Sequence, residues 1–344
     1  MPPHQSDPKS GVGTNLKLTA YKEFPTNYPH HNVDLWLSGK RIDDNVGPYW
    51  RIHNKLYDLT DFVDRHPGGR MWLEVTKGTD ITEAFESSHV SESAEKLLKK
   101  FYVKDISTPR NSPYTFHEDG FYKTFKRKVQ PILKEIGTGP SWKTLVIQDG
   151  LALAFVVLTV ACSVLSSYTL AAFAGVFLSM VITCAHNFFH QKDNWRMHYF
   201  DLSFSTAHEW RLFMALHLTA YFVFLFIGLT AAHHHPDIFH DGDKMRDNPD
   251  WGLCQLDAVR DRMEVTGNLL MVLTTFGEHT LHHLLPTVDH SKLNSLYPVF
   301  LETCKEFNIP FSFMNWPTLF AGKYLQMANI TPNSNYPGYK VKVS

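Results

Sequence analysis

The stretch at 50–69, WRIHNKLYDLTDFVDRHPGG, decides how the front of this chain folds. Tyr49–Leu59 alternates as a strand does, and Asp61, Phe62 and Val63 lead into His66-Pro67-Gly68-Gly69. Glycines let the backbone turn closely beside a flat ligand, and proline stiffens the approach. A second histidine, His89, follows in DITEAFESSHV (80–90). Two histidines on opposed elements can hold one haem iron from both sides. Such an iron keeps no open position, so it carries electrons and does not activate oxygen.

The composition fits that chemistry. The 344 residues carry 33 Lys+Arg against 34 Asp+Glu, a balance that excludes the basic excess of a nucleic-acid binder. Charged residues make up 19%, below the ~25% of an ordinary soluble domain. There are 20 histidines, and thirteen of them fall between His186 and His290, a crowding that asks for metal before packing. The four cysteines (162, 184, 254, 304) form no CxxC pair, so a reducing, cytosol-facing setting is expected. The first residues hold no apolar core of the signal-peptide kind.

Outward from the HPGG segment the chain divides by composition. Residues 1–29 are polar and read as a flexible tail, and 30–106 as a small soluble domain. Residues 107–140 form a connection, with Pro and Ser over 107–119 and an amphipathic helix over 120–137. That helix suits a membrane interface or a solvated surface, and Pro131 is expected to bend or end it. Residues 141–344 form a membrane domain with spans at about 145–166, 168–188 and 212–232. The run 150–185 contains no Asp, Glu, Lys, Arg or His, enough for two spans of ~20 residues turning near Ser166-Ser167-Tyr168. Lys128, Lys134 and Lys143 precede this hairpin and Lys192, Arg196 and Arg211 follow it, which predicts cytosolic flanks.

Histidines cluster at the ends of these runs. HNFFH (186–190) puts two on one helical face after the second span, and HTLHH (279–283) puts three together. AAHHHPDIFHDGD (231–243) supplies His233, His234 and His235 as further candidates. Neutral imidazoles suit iron or zinc and cost less to bury near a membrane than carboxylates. His198, His208 and His217 read as structural, and Leu293, Leu296, Val299 and Phe300 as core.

Residues 33–106 resemble the cytochrome b5 domain through WLSGKR, YWRIHNKLYDLTDF, HPGG, GTDITEAF, His89 and the closing LLKKFYVKDI. The resemblance implies haem b with His66 and His89 as axial ligands. It implies a pocket of Phe62, Pro67, Gly68, Gly69, Leu73, Phe85, Leu97 and Phe101. HxxxH after an apolar hairpin, with the later GEHTLHHLLPTVDHSKLNSLYPVFLETCKEF, resembles membrane fatty acyl desaturases and hydroxylases. Taken whole, the chain resembles the insect cytochrome b5-related proteins, fusions of the two. The implied fold is an α+β haem domain followed by an all-α membrane domain of the desaturase type. The implied non-haem diiron ligands are His186, His190, His279, His282 and His283. The implied partners are NADH-cytochrome b5 reductase, an acyl lipid and the endoplasmic reticulum membrane, with the haem domain in the cytosol.

The chain departs from the desaturase pattern in having no middle HxxHH, as though a block were missing after about Arg211. Three functions follow: an active b5-fused desaturase, a membrane-tethered haem electron carrier with a degenerate desaturase body, or a membrane protein keeping neither activity. Full crossing by 212–232 would put ~30 Å of hydrocarbon between the first and last boxes, against metal–nitrogen bonds of ~2 Å. A re-entrant or buried third helix would keep the boxes on one face. The expectation is boxes on one side forming an incomplete cage, with weak or single-site iron.

Overall fold

The computed structural model describes residues 33–191, 194–204, 210–229, 233–240 and 242–337, arranged as two compact units. The expected tail at 1–29, together with Lys192 and His208, lies outside the described residues.

Among the described residues, the first unit comprises 33–117 together with 242–251 and Pro332–Asn335. Helix α1 (Val33–Asp44) precedes a hairpin of β1 (Trp50–Ile52) and β2 (Lys55–Tyr57), with Trp50 opposite Tyr57. The alternation expected to form one strand is two, because His53 takes a φ of +53° and turns the chain. Alternation alone does not register a two-residue turn that preserves its phase. A 3-10 turn (Thr60–Arg65) and helices α2 (Arg70–Thr76), α3 (Thr82–Ser88) and α4 (Glu92–Leu98) follow. Strand β3 (Tyr102–Asp105) then pairs with β2, giving the sheet order β1-β2-β3. Trp50, Ile52, Tyr57, Leu59, Leu73 and Phe85 make the core. The Trp50 indole N–H is satisfied by the Leu73 carbonyl at 3.0 Å.

A buried carboxylate ties the segment after β3 to this unit. Asp80 accepts from the Thr82 amide and hydroxyl and from Arg110 Nε at 2.7 Å. Arg110 also reaches Glu83 at 2.6 Å, and Arg51 stands 3.8 Å from Asp80. Burial pushes the Asp80 carboxyl up, but the Arg110 charge and the Thr82 hydrogen bonds outweigh it and hold it below the ordinary range. Further along, the Thr115 amide donates to Pro249 and its carbonyl accepts from Trp251, while Phe116 stacks on Trp251 at 6.0 Å. Residues 107–117 are therefore pinned to the folded unit along their length.

The second unit is helical. Helix α5 (Phe121–Ile136) carries Pro131 in its interior and buries Phe121, Phe125, Val129 and Leu133. Phe121 and Phe125 both meet Phe300 edge-on, so the apolar face considered for a membrane interface is covered by protein. Helices α6 (Trp142–Leu165) and α7 (Tyr168–Phe189) are long and apolar enough to cross a bilayer. They turn where expected, with Ser166 at φ +44° and Ser167 capping α7. Leu153, Val156, Val157, Val160 and Val164 are exposed along α6, a surface that lipid accommodates and water disfavours.

A 3-10 stretch (Trp195–Phe204) leads into α8 (Trp210–Leu229), whose apolar described part, Trp210–Phe226, is shorter. The remainder of the third expected span, 230–232, lies outside the described residues. Helix α8 presses on α7 at Gly175, where any Cβ would collide with the Leu216 carbonyl and Thr219. Small residues permit such close approach between helices in lipid. Helices α9 (Trp251–Asp257), α10 (Leu269–Thr274), α11 (His279–Leu284), α12 (His290–Leu293), α13 (Tyr297–Glu306) and α14 (Trp316–Ala328) complete the chain. Leu293, Leu296 and Phe300 are fully buried, and all four cysteines are free thiols.

Removing Arg110 would leave the Asp80 carboxylate buried with only Arg51 near it. Arg110→Met should cost about 3 kcal/mol at neutral pH, the low end for breaking a buried pair. A group whose folded pKa is depressed contributes stability above its unfolded pKa and loses it below. The difference between wild type and variant should therefore shrink as pH falls toward ~4. Guanidinium titration of the detergent-solubilised full chain, followed by haem absorbance, measures both.

Candidate haem and metal centres

His66 ends the 3-10 turn and His89 ends α3, so each ring projects from an element terminus. His66 Nδ1 lies 2.9 Å from the Gly69 carbonyl, and His89 Nδ1 lies 2.9 Å from the Phe85 carbonyl. An N–H donated to each carbonyl fixes the tautomer and leaves Nε2 with a free lone pair. The ring centroids are 6.2 Å apart. Two metal–nitrogen bonds of about 2 Å, with the depth of two imidazoles, account for that separation. A haem iron between these residues therefore fits.

The flanking residues explain the motif. A Cβ on Gly68 would sit 3.0 Å from His66 Cε1, and Gly69 takes a φ of +101°. Both positions need glycine, one for space and one for conformation. Phe62 stands against His66 and Phe101, Phe85 lies 4.7 Å from His89, and Leu73 is buried. Pro67 is exposed at the turn and Leu97 is half-buried. Leu98, its neighbour, is the residue that packs on the core cluster. His53 is held by the buried Glu86 at 2.7 Å.

In the helical unit the boxes converge into two groups of three. His186 and His190, from the end of α7, meet His282 of α11; His279 and His283 of α11 meet His233. Within each group the candidate ligand atoms lie within 4.8 Å of one another. His186 and His282 approach to 3.3 Å through their Nε2 atoms, and His233 and His279 to 3.1 Å. Nitrogens sharing one metal at about 2 Å lie roughly 3–4 Å apart, so both pairs fit. The triplet splits: His233 joins a group, His234 is exposed, and His235 is packed against Gly322 with its Nδ1 accepting from the Asp237 amide. His217 bonds backbone carbonyls and His198 pairs with Asp201.

His282 and His283 are adjacent on α11 and point about 100° apart, with His279 between them on the same face, so the period separates His282 from His283 and packing places His279 with His283 and His233. Burial holds His279 and His282 well below the usual imidazole range, and burial with the neighbouring His233 pushes His283 down to about 3. Neutral imidazoles with available lone pairs result. The His233 Nδ1–H is taken by the Ala258 carbonyl and the His283 Nδ1–H by Gln255, which leaves both Nε2 atoms for a metal. His279 and His282 each leave Nδ1 buried with no hydrogen-bond partner.

Several supporting residues escaped the sequence pattern. Asp261 accepts from the Thr280 amide at 3.0 Å and from the Tyr297 hydroxyl at 2.6 Å, and so anchors the start of α11. Glu278, at φ +52°, accepts from the Gly267 amide, and burial pushes its carboxyl up to about 7. Gln255, Asn187, Asp289 and His290 also stand behind the boxes. Glu278 directly precedes HTLHH, but its spacing to Asp261 and Tyr297 carries no periodic signal.

An α+β unit with two facing histidines, joined to a helical unit with paired histidine groups, defines a haem protein fused to a desaturase-like body. The family described as cytochrome b5-like haem/steroid binding domain matches residues 37–107, and fatty acid desaturase matches 199–315. A "Cytochrome b5-related protein" of Drosophila melanogaster is 31% identical over 96% of this chain and 98% of that protein. One of Drosophila virilis is 44% identical over 41% of this chain and 94% of its own length. The "Probable Delta(5) fatty acid desaturase C" of Dictyostelium discoideum is 29% identical over 37% of this chain and 24% of that protein. No solved structure matches. This chain belongs to the family of cytochrome b5-related proteins. Its alignment with the Drosophila melanogaster protein runs over 432 positions and this chain has 344 residues, so at least 88 positions have no counterpart here.

Gln255→Leu should free the His283 imidazole to rotate and lower metal affinity about 10–100-fold at that group. Competition with a chromogenic chelator measures it, and haem content should not change.

Proposed function

We propose that this chain is a membrane-bound haem protein of lipid metabolism that oxidises acyl chains at a histidine-held non-haem metal pair. The observation that carries this reading is the convergence of the first and last histidine boxes, with His233, into two three-histidine groups. Haem b between His66 and His89 would pass single electrons, and non-haem iron held by His186, His190 and His282 and by His233, His279 and His283 would activate oxygen toward a C–H bond. The protein's own residues orient these imidazoles, keep them neutral and bury them from water. The electron donor is an NADH-cytochrome b5 reductase. The setting is the endoplasmic reticulum membrane with the haem domain cytosolic, which the Lys and Arg flanks of the α6–α7 hairpin favour. Residues 30–106 serve as the haem domain, 107–140 as the connection and 141–344 as the membrane domain.

The second reading, a tethered electron carrier with an inactive desaturase body, is favoured by the absent middle HxxHH and by the alignment positions that have no counterpart in this chain. Metal analysis and reduced-minus-oxidised spectra of the purified full chain separate the two. Expected are one six-coordinate haem, lost in His66→Ala and His89→Ala but kept in His53→Ala, and two non-haem irons per chain. A new double bond in the acyl chains of expressing yeast would accompany them. Haem without non-haem iron would establish the electron carrier instead, and a chain without haem would exclude both.

A further inference from the structure

The buried polar groups behind the first histidine group form a network that no ligand set requires. Asp289 is wholly buried, and its carboxylate accepts five hydrogen bonds. Oδ1 takes the Thr144 hydroxyl at 3.1 Å and the Ser291 amide and hydroxyl; Oδ2 takes Asn187 Nδ2 at 2.7 Å and Gln191 Nε2 at 3.1 Å. A buried carboxylate persists only when its lone pairs are met in this way. Thr144 belongs to α6 and Asn187 to α7, Gln191 lies two residues past the end of α7, and Asp289 caps α12.

Asn187 sits inside the first box, one residue after His186 and three before His190. Its amide is used at both ends. Nδ2 donates to Asp289, and Oδ1 accepts from the His290 backbone amide at 3.2 Å and from His290 Nδ1 at 2.5 Å. That pattern fixes the amide orientation without ambiguity. The His290 ring, so held, stacks on His282 at 4.6 Å with an interplanar angle of 21°. His282 is the only residue of the last box that joins His186 and His190. One asparagine thus links the box on α7 to the ring supporting its distant third histidine.

We propose that Asn187, Asp289 and His290 are positioning residues that set the geometry of the His186–His190–His282 group, and of that group alone. The inference rests on the metal reading above and deepens it. The His186 and His282 Nε2 atoms come from segments 96 positions apart. The side-chain network supplies the missing constraint. Metal affinity there depends on it as on any partner that orients a ligand ring. The His233–His279–His283 group is oriented instead by Ala258 and Gln255 and stands apart from the network.

Cobalt(II) is the probe, added to the detergent-solubilised full chain and followed by visible absorption and chelator competition. Wild type should bind two equivalents. Asn187→Leu, which removes both hydrogen-bonding ends, and His290→Phe, which keeps the stacked ring but loses the Nδ1 donor, should each weaken one equivalent about 10–100-fold. The other equivalent and the haem spectrum should stay as in wild type. Both variants binding two equivalents as wild type does, or losing both equally, would overturn the clamp. A wild-type chain that takes up no cobalt would overturn the metal reading itself, and the clamp with it.

Discussion

The approach of His186 to His282, 3.3 Å between Nε2 atoms from segments 96 positions apart, is the constraint on which the helical unit depends. A metal bond of about 2 Å would tolerate little slack, so a metal shared by these rings would need the helix ends held to within fractions of an ångström. Several polar groups buried behind the boxes hold those helix ends. Asp261 and Tyr297 anchor the first turn of α11, and Asp289 joins α6, α7 and α12. Apolar packing alone would leave the rings free to slide, since it is non-directional. Hydrogen bonds supply direction, and the cost is a set of buried charges that must all be satisfied together.

The haem unit solves a smaller version of the same problem. Its two imidazoles are oriented by main-chain carbonyls within their own local segments, Gly69 for His66 and Phe85 for His89. Each hydrogen bond closes over three or four residues. The site therefore needs little from distant sequence beyond a core that sets the two segments facing one another. Asp80 contributes by drawing Arg110 onto the unit, which gives the segment after β3 a defined place.

Helix α8 follows α7 in the helical unit. It packs on α7 directly through Gly175. The first and last boxes meet, with His233 in the third seat of the second group. The first-box and last-box imidazoles with His233 form two groups of three, neither containing a residue of a middle box.

Local chemistry determined a good part of this protein from sequence alone. HPGG with His89 marked the facing imidazoles because glycine space and carbonyl acceptors lie within a few residues. The charge-free run marked the α6–α7 hairpin because hydrophobic length is additive along the chain. The histidine boxes marked themselves by helical spacing. What tertiary structure decided was everything set by contacts distant in sequence. It divided HTLHH between two groups, chose His233 over His234 and His235, covered the apolar face of α5, and placed Asn187, Asp261, Asp289 and His290 behind the ligands. Those residues have no periodicity to betray them. A buried hydrogen bond depends on where two backbones meet, and that meeting is settled by packing across the whole unit.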